Sequence, residues 1–189
     1  TRTRLWPDCW RAADLRVKVC GITTRASVEA VDGHADYVGL NFWPRSKRYL
    51  PLDAATELSE LLADGIQRVA LFVDAEADDI RAVLDSLRVD LLQFHGSESP
   101  DYCRQFGRPF MKAFRLRDVA TLHNVADYLD GPGSHFLVDA FVPGVVGGSG
   151  HPIDLELARQ ARDRFDARMF LAGGLTPENV AAAARAVEP

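Results

Sequence analysis

From residue 17 onward, short apolar runs alternate with longer amphipathic ones. The runs fall at 17–20, 37–42, 68–73, 91–95, 110–114, 136–139 and 169–172, and they are rich in Val, Phe and Leu. They are continuous rather than alternating, which is the pattern of parallel strands buried on both faces. Between them, apolar residues recur at helical spacing. Residues 52–63 carry Ala54, Ala55, Leu58, Leu61 and Leu62 on one stripe. Ile80, Val83, Leu84 and Leu87 repeat the stripe, as do Leu155, Leu157, Ala158, Ala161 and Phe165. Pro51 and Asp118 mark helix starts. The last helix opens at Thr176-Pro177-Glu178-Asn179, with Thr176 as N-cap, Pro177 in the first helical position and an acid in the first turn.

These elements make seven strand–helix units between residues 17 and 189, roughly 25 residues each. Repeated βα units build a parallel sheet, either open and doubly wound or closed into a (β/α)8 barrel. The first strand runs into Cys20-Gly21-Ile22-Thr23, without the glycine fingerprint of a dinucleotide-binding sheet. Glycine-rich turns come late, at Gly147-Gly148-Ser149-Gly150 and Gly173-Gly174, where barrels place phosphate sites. The expected fold is therefore α/β, a (β/α)8 barrel with its eighth βα unit absent from this chain. Residues 17–189 form units one to seven of a single domain. Residues 1–16 read as a leader or linker outside the barrel.

Composition narrows the class. With 189 residues, 47% of them hydrophobic and 26% charged, the chain can bury a core and is not of the disordered type. Its apolar runs are far shorter than the about 20 residues of a membrane span. A net charge of -5 and an acidic pI near 5.5 argue against nucleic acid as a general partner, while leaving room for a local basic pocket. Cys9, Cys20 and Cys103 are odd in number and widely spaced, with no disulfide framework or metal-binding pair, which fits a reducing cytoplasm.

Side chains alternate along a strand. Lys18 and Cys20 share one face of the first strand, Leu91, Gln93 and His95 one face of the fourth, and Leu137 and Asp139 one face of the sixth. In each the chemically active member stands at or near the C-terminal end, where a barrel keeps its active site. Cys20, His95 and Asp139 are thus expected at one mouth, with Asn41 and Lys112 as further members. Each has a plainer reading. A cysteine can be a small buried hydrophobe, a histidine before Gly96 can cap a turn, and the basic stretch 44–48 can be a solvated turn. A carboxylate after a buried strand needs a partner, so Asp139 is hardest to read as inert.

Taken in order, the motifs are more specific than any one alone. They are Lys18-Val19-Cys20-Gly21-Ile22-Thr23, Pro44-Arg45-Ser46-Lys47-Arg48-Tyr49, Gln93-Phe94-His95-Gly96, Asp139 ahead of Gly147-Gly148-Ser149-Gly150, and Leu171-Ala172-Gly173-Gly174-Leu175-Thr176-Pro177-Glu178-Asn179-Val180. This series resembles the phosphoribosylanthranilate isomerases of tryptophan biosynthesis, from about residue 17 to the last. The resemblance implies an Amadori rearrangement of N-(5-phosphoribosyl)anthranilate, an aldose–ketose isomerisation with no cofactor and no metal. It implies Cys20 as general base, Asp139 as general acid and Arg48 as the contact for the anthranilate carboxylate. His95 is placed at the substrate, and Gly173 and Gly174 at its phosphate. The expected partner is a small phosphorylated substrate, with no nucleic acid and no membrane, in a monomer or a fusion to another tryptophan-pathway domain.

A cysteine serves as base only as thiolate, so its ordinary pKa near 8.5 must fall or a small ionised fraction suffice. Lys18, about 6.6 Å along the same face, is a candidate for lowering it. Asp139 must carry a proton with substrate bound. The family's pattern continues into an eighth strand with a serine–glycine loop that completes the phosphate site. Its absence reads as the ordered part of a longer protein, a deliberately shortened chain, or a fragment that folds with a partner. Two other functions remain. One is another phosphate-binding barrel enzyme, which would use a lysine–glutamate set or paired aspartates instead of Cys20. The other is a catalytically inactive barrel fragment acting as an interaction module.

Overall fold

The computed structural model describes residues 15–130, 134–141 and 153–189. Most of the expected leader and the whole 147–150 glycine loop lie outside the described residues. Seven strands form one parallel sheet in chain order: β1 (Lys18–Cys20), β2 (Tyr37–Asn41), β3 (Gln67–Phe72), β4 (Leu91–Phe94), β5 (Phe110–Leu116), β6 (His135–Ala140) and β7 (Arg168–Leu171). Between them run α1 (Arg25–Val31), α2 (Leu52–Glu60), α3 (Ala77–Ser86), α4 (Pro100–Arg104), a 3₁₀ segment (Val119–Tyr128) and α5 (Leu155–Arg164), and α6 (Val180–Val187) follows β7.

The continuous apolar strands have two buried faces, as their pattern demands. On the outer face Val38 and Leu40 pack with Val28, Val31, Ala55 and Leu58 from α1 and α2. Ala70, Phe72, Leu92 and Phe94 pack under Ile80 and Val83 of α3 and Cys103 of α4. Phe136 and Val138 meet Leu157, Ala158 and Ala161 of α5 and Val187 of α6. Each such large apolar side chain contributes roughly 1.5–3 kcal/mol by leaving water. The inner face carries Tyr37, Val69, Leu91, Met111, Ala113 and Leu137, with Phe170 and Ala172 against them. Tyr37 of β2 and Phe170 of β7 meet edge to face at 5.2 Å between ring centres. Those strands lie near opposite edges of the sheet, so their contact shows that the sheet curls around this inner cluster.

Three expectations are corrected. α6 begins at Val180, not at Pro177. The reason is that Asn179 is committed to the preceding turn: its Oδ1 accepts from the Thr176 N–H at 2.8 Å and its Nδ2 donates to the Gly174 carbonyl at 2.8 Å. Asp118 does head an element, accepting from the Thr121 N–H, but that element is 3₁₀ and not α. Leu61, placed on the buried stripe of the second helix, is exposed, because α2 ends at Glu60 and Leu61 is its C-cap. Beyond it, buried Arg68 of β3 donates to the carbonyls of Ser59, Leu62 and Ile66. This satisfies carbonyls at the helix's end that would otherwise be buried without a partner.

Candidate active site

The inner face ends, at the C-terminal edge of the strands, in polar groups. Cys20 closes β1 and pairs in register with Gly39 of β2. A Cβ at Gly39 would stand 2.9 Å from Cys20 Sγ, 3.1 Å from Cys20 Cα and 3.2 Å from Lys18 Nζ. The bare glycine therefore makes the space in which both side chains sit, and thiol and ammonium border the same small volume. Cys20 is half-buried and unpaired by any disulfide. Cys103, by contrast, is fully buried between α4 and the sheet, and burial pushes its thiol up to about 12. That is the signature of a packed and unreactive cysteine.

His95 follows β4 and reaches Asp139 near the end of β6. Its Nε2 lies 3.3 Å from Asp139 Oδ2, with only about a tenth of either side chain exposed. Gln93, 1% exposed, places its Nε2 3.0 Å from His95 Nδ1. Which of these two nitrogens donates follows the tautomer of the ring, and Nε2 is the ring nitrogen that faces the carboxylate. The His95–Asp139 contact lies outside hydrogen-bond geometry, and among the described residues neither Nε2 nor the buried Gln93 Oε1 has a hydrogen-bond partner. Asp139 Oδ1 accepts from the Ala140 N–H at 2.8 Å, which leaves Oδ2 as the oxygen facing His95.

Arg48 lies in the turn after β2. Its Nη1 donates to the Cys20 carbonyl at 3.1 Å, and its stem crosses directly over Gly21. Gly21 has φ +80°, and a Cβ there would stand 2.6 Å from Arg48 Cδ. The turn is tied to the strand by Asn41, whose Oδ1 accepts from the Trp43 N–H and whose Nδ2 donates to Ser46 Oγ; Ser46 Oγ also accepts from the Arg48 N–H. Asn41 thus reaches the mouth as expected, and it shapes the loop that carries Arg48. Gly173 and Gly174 follow β7 with φ of +96° and +61°. Gly173 packs on the end of β6, where a Cβ would come within 2.9 Å of Asp139 Oδ1.

Cys20, His95, Asp139, Arg48 and Gly173 are therefore brought to one end of the sheet. Lys112 is not among them. It alternates with Met111 and Ala113, which point inward, and so faces the outer layer, where it pairs with buried Glu98 at 2.9 Å. Two further residues border the site, Gly39 and Gln93, and Glu98 lies behind it on the outer face. A glycine inside an apolar strand was a readable sign of close approach, and Gln93 shares a face with His95; nothing in the sequence marked Glu98.

The chain is similar to known proteins along most of its length. Residues 17–189 match the family model described as N-(5'phosphoribosyl)anthranilate isomerase. The N-(5'-phosphoribosyl)anthranilate isomerase of Thiobacillus denitrificans is 45% identical over 177 residues, covering 93% of this chain and 84% of that protein. That of Trichlorobacter lovleyi is 41% identical, with coverage of 93% and 84%. Among solved structures, phosphoribosyl anthranilate isomerase from Thermotoga maritima superposes with a TM-score of 0.81 at 33% identity, covering 93% of this chain and 85% of that one. A phosphoribosyl anthranilate isomerase in complex with reduced 1-(o-carboxyphenylamino)-1-deoxyribulose 5-phosphate superposes at 0.79 with 32% identity, covering 93% and 84%. A parallel α/β sheet curled around an apolar interior, with a half-buried cysteine, a histidine–aspartate contact and an arginine at one end, is in this way joined to a sequence match along the whole described sheet, and the chain belongs to the phosphoribosylanthranilate isomerase family.

Proposed function

We propose that the groups at this mouth carry out the family's reaction, the Amadori rearrangement of N-(5'-phosphoribosyl)anthranilate, and that the seven strands are seven of the eight βα units of a (β/α)8 barrel formed by residues 17–189. The reaction has two demanding steps. The furanose ring oxygen must gain a proton as its bond to C1 breaks, leaving a Schiff base between C1 and the anthranilate nitrogen. A proton must then leave C2, and its electron pair moves to form the enolamine, which tautomerises to the ketose. One acid and one base suffice, each worth roughly 10²–10⁴-fold.

Asp139 is the acid in this reading. It is held by its own Ala140 N–H on one oxygen and faces His95 with the other. His95 stands beside Asp139 and contacts the substrate there. Cys20 is the base, as thiolate, with the Lys18 ammonium bordering the same volume. Arg48 offers a planar fork to the anthranilate carboxylate. The left-handed backbone at Gly173 and Gly174 lets main-chain N–H groups approach the phosphate. The residues named all come from one chain, and a free catalytic thiol suits a reducing cytoplasm. Among the described residues no helix is long and apolar enough to cross a membrane.

The observation that carries the reading is the joint placement of Cys20, His95 and Asp139 at one end of a single curled sheet. Its test is loss of the substrate's anthranilate fluorescence on turnover. Cys20→Ala and Asp139→Asn should each lower kcat by roughly 10²–10⁴-fold with the fold retained. Full activity in either variant removes that residue from the chemistry.

A further inference from the structure

Glu98 and Lys112 form a charged pair on the outer side of the sheet, away from the reacting groups, with 6% and 4% of their surface exposed. Burying two charges is costly, and apolar residues of similar volume commonly serve stability as well. What the pair does locally is specific. Glu98 Oε2 accepts from the Gly96 N–H at 2.9 Å and from Lys112 Nζ, and Lys112 Nζ donates in turn to the Gly96 carbonyl. Gly96 is the residue after His95, so both of its backbone polar groups are gripped by one ion pair.

The grip is anchored on three sides. Glu98 Oε1 accepts from the Asp74 N–H at 2.8 Å, and Asp74 Oδ1 accepts from the Ser97 N–H, tying in the loop after β3. Tyr128 donates its hydroxyl to the Glu98 carbonyl at 2.9 Å, and its ring lies 5.9 Å from Lys112 Nζ. Lys112 itself is fixed in β5, in register with Phe94. On the inner side, among the described residues, the His95 ring is restrained by Gln93.

We propose that Glu98 and Lys112 are positioning residues that set His95 against Asp139 by holding the two peptide groups that flank Gly96. The inference rests on the reading of His95 and Asp139 as site residues. A ring held within 3.3 Å of a carboxylate tolerates little drift, and a displacement of about 1 Å can cost about 10²-fold in rate.

The full chain carrying Glu98→Gln, which keeps the shape and removes the charge, is compared with the parent in two ways. Turnover should show kcat lowered about ten- to a hundredfold with KM within about twofold, since neither residue touches substrate. The ring nitrogen signals of His95 in 15N-labelled protein, assigned by their loss in His95→Gln, should shift. Lys112→Met, which keeps the buried stem, should do the same. A folded variant with parental kcat, or with lowered kcat and unmoved His95 signals, overturns the proposal. So does loss of the fold in both variants, which would make the pair purely structural. Failure of the site reading shows separately, as full activity in His95→Gln, whereas the ring signals report the grip whatever the activity.

Discussion

The two sides of the mouth are built differently. On the β4–β5 side, His95 stands on a loop whose backbone is held by a buried ion pair, Tyr128 and a neighbouring carboxylate, with Tyr102 tying α4 to the loop after β3. Tyr102 donates to the Ala75 carbonyl at 2.5 Å, and Asp74, Glu98 and Tyr128 complete the lattice. On the β1–β2 side, Cys20 is half-buried beside Lys18 in space left by Gly39, and exposed Arg48 leans on the strand through one hydrogen bond and its aliphatic stem. The first side is fixed by polar groups, the second is shaped by missing atoms. In the proposed roles, a proton donor to a leaving oxygen needs a set direction, and these contacts supply it. A base and a carboxylate clamp must admit a large planar substrate, which needs room.

That contrast can be broken from either side. Exchange of the proposed base or acid, in Cys20→Ala or Asp139→Asn, should have the largest effect. Next comes Gly39→Val, which fills the open side. Its Cβ meets Cys20 Cα, which is backbone and cannot swing away. We expect kcat to fall tenfold or more. Stability should fall by roughly 1–3 kcal/mol, the usual cost of overpacking, read as a lower urea midpoint. A Gly39→Val protein with parental kcat would show that the space over β2 is not used. Arg48→Ala should act on binding. Loss of a hydrogen bond to a charged group, roughly 1.5–3 kcal/mol, raises KM about tenfold or more and leaves kcat nearer its original value. An unchanged KM removes Arg48 from the site.

The smallest expected effect concerns pH, at the far end of β6. His135 is held below its ordinary range by burial and, secondarily, by Arg168. The folded state thus keeps it neutral while the unfolded chain takes up a proton near pH 6.5. Stability from this group is full above that value and is lost as pH falls through it toward the lower folded value. His135→Phe, which keeps a ring against Phe170, should flatten the loss of stability between pH 7 and 5, measured as the urea midpoint. An unchanged slope would assign the pH dependence to other groups.

The strand positions were readable within a residue or two because a doubly buried strand has no polar position to blur its ends. The facing of Cys20, His95 and Asp139 followed from alternation alone. The same alternation, applied to Phe110, Lys112 and Phe114 against Met111 and Ala113, already sets Lys112 on the outer face. Its misplacement came from weighing charge ahead of period. Other features were not local. Glu98 owes its role to loops after β3 and β4 and to strand β5, which meet only in three dimensions. The start of α6 turned on a choice by Asn179, whose amide serves the turn rather than the helix. Of the candidate site, the gathering of Cys20, His95 and Asp139 at one end of the sheet was legible and the parts that hold them were largely not.

Gly21 has one more consequence. Its φ of +80° and the Arg48 stem pressed against it leave no volume for another atom. Any codon change that alters the residue adds at least a Cβ, so drift at this position meets a backbone conformation that other residues adopt only under strain and a neighbour it must dislodge. Two residues that are 28 apart in sequence, the cysteine and the arginine that touches its carbonyl, are thereby inherited as one unit. A library randomised at position 21 and selected for growth without tryptophan should return glycine almost alone.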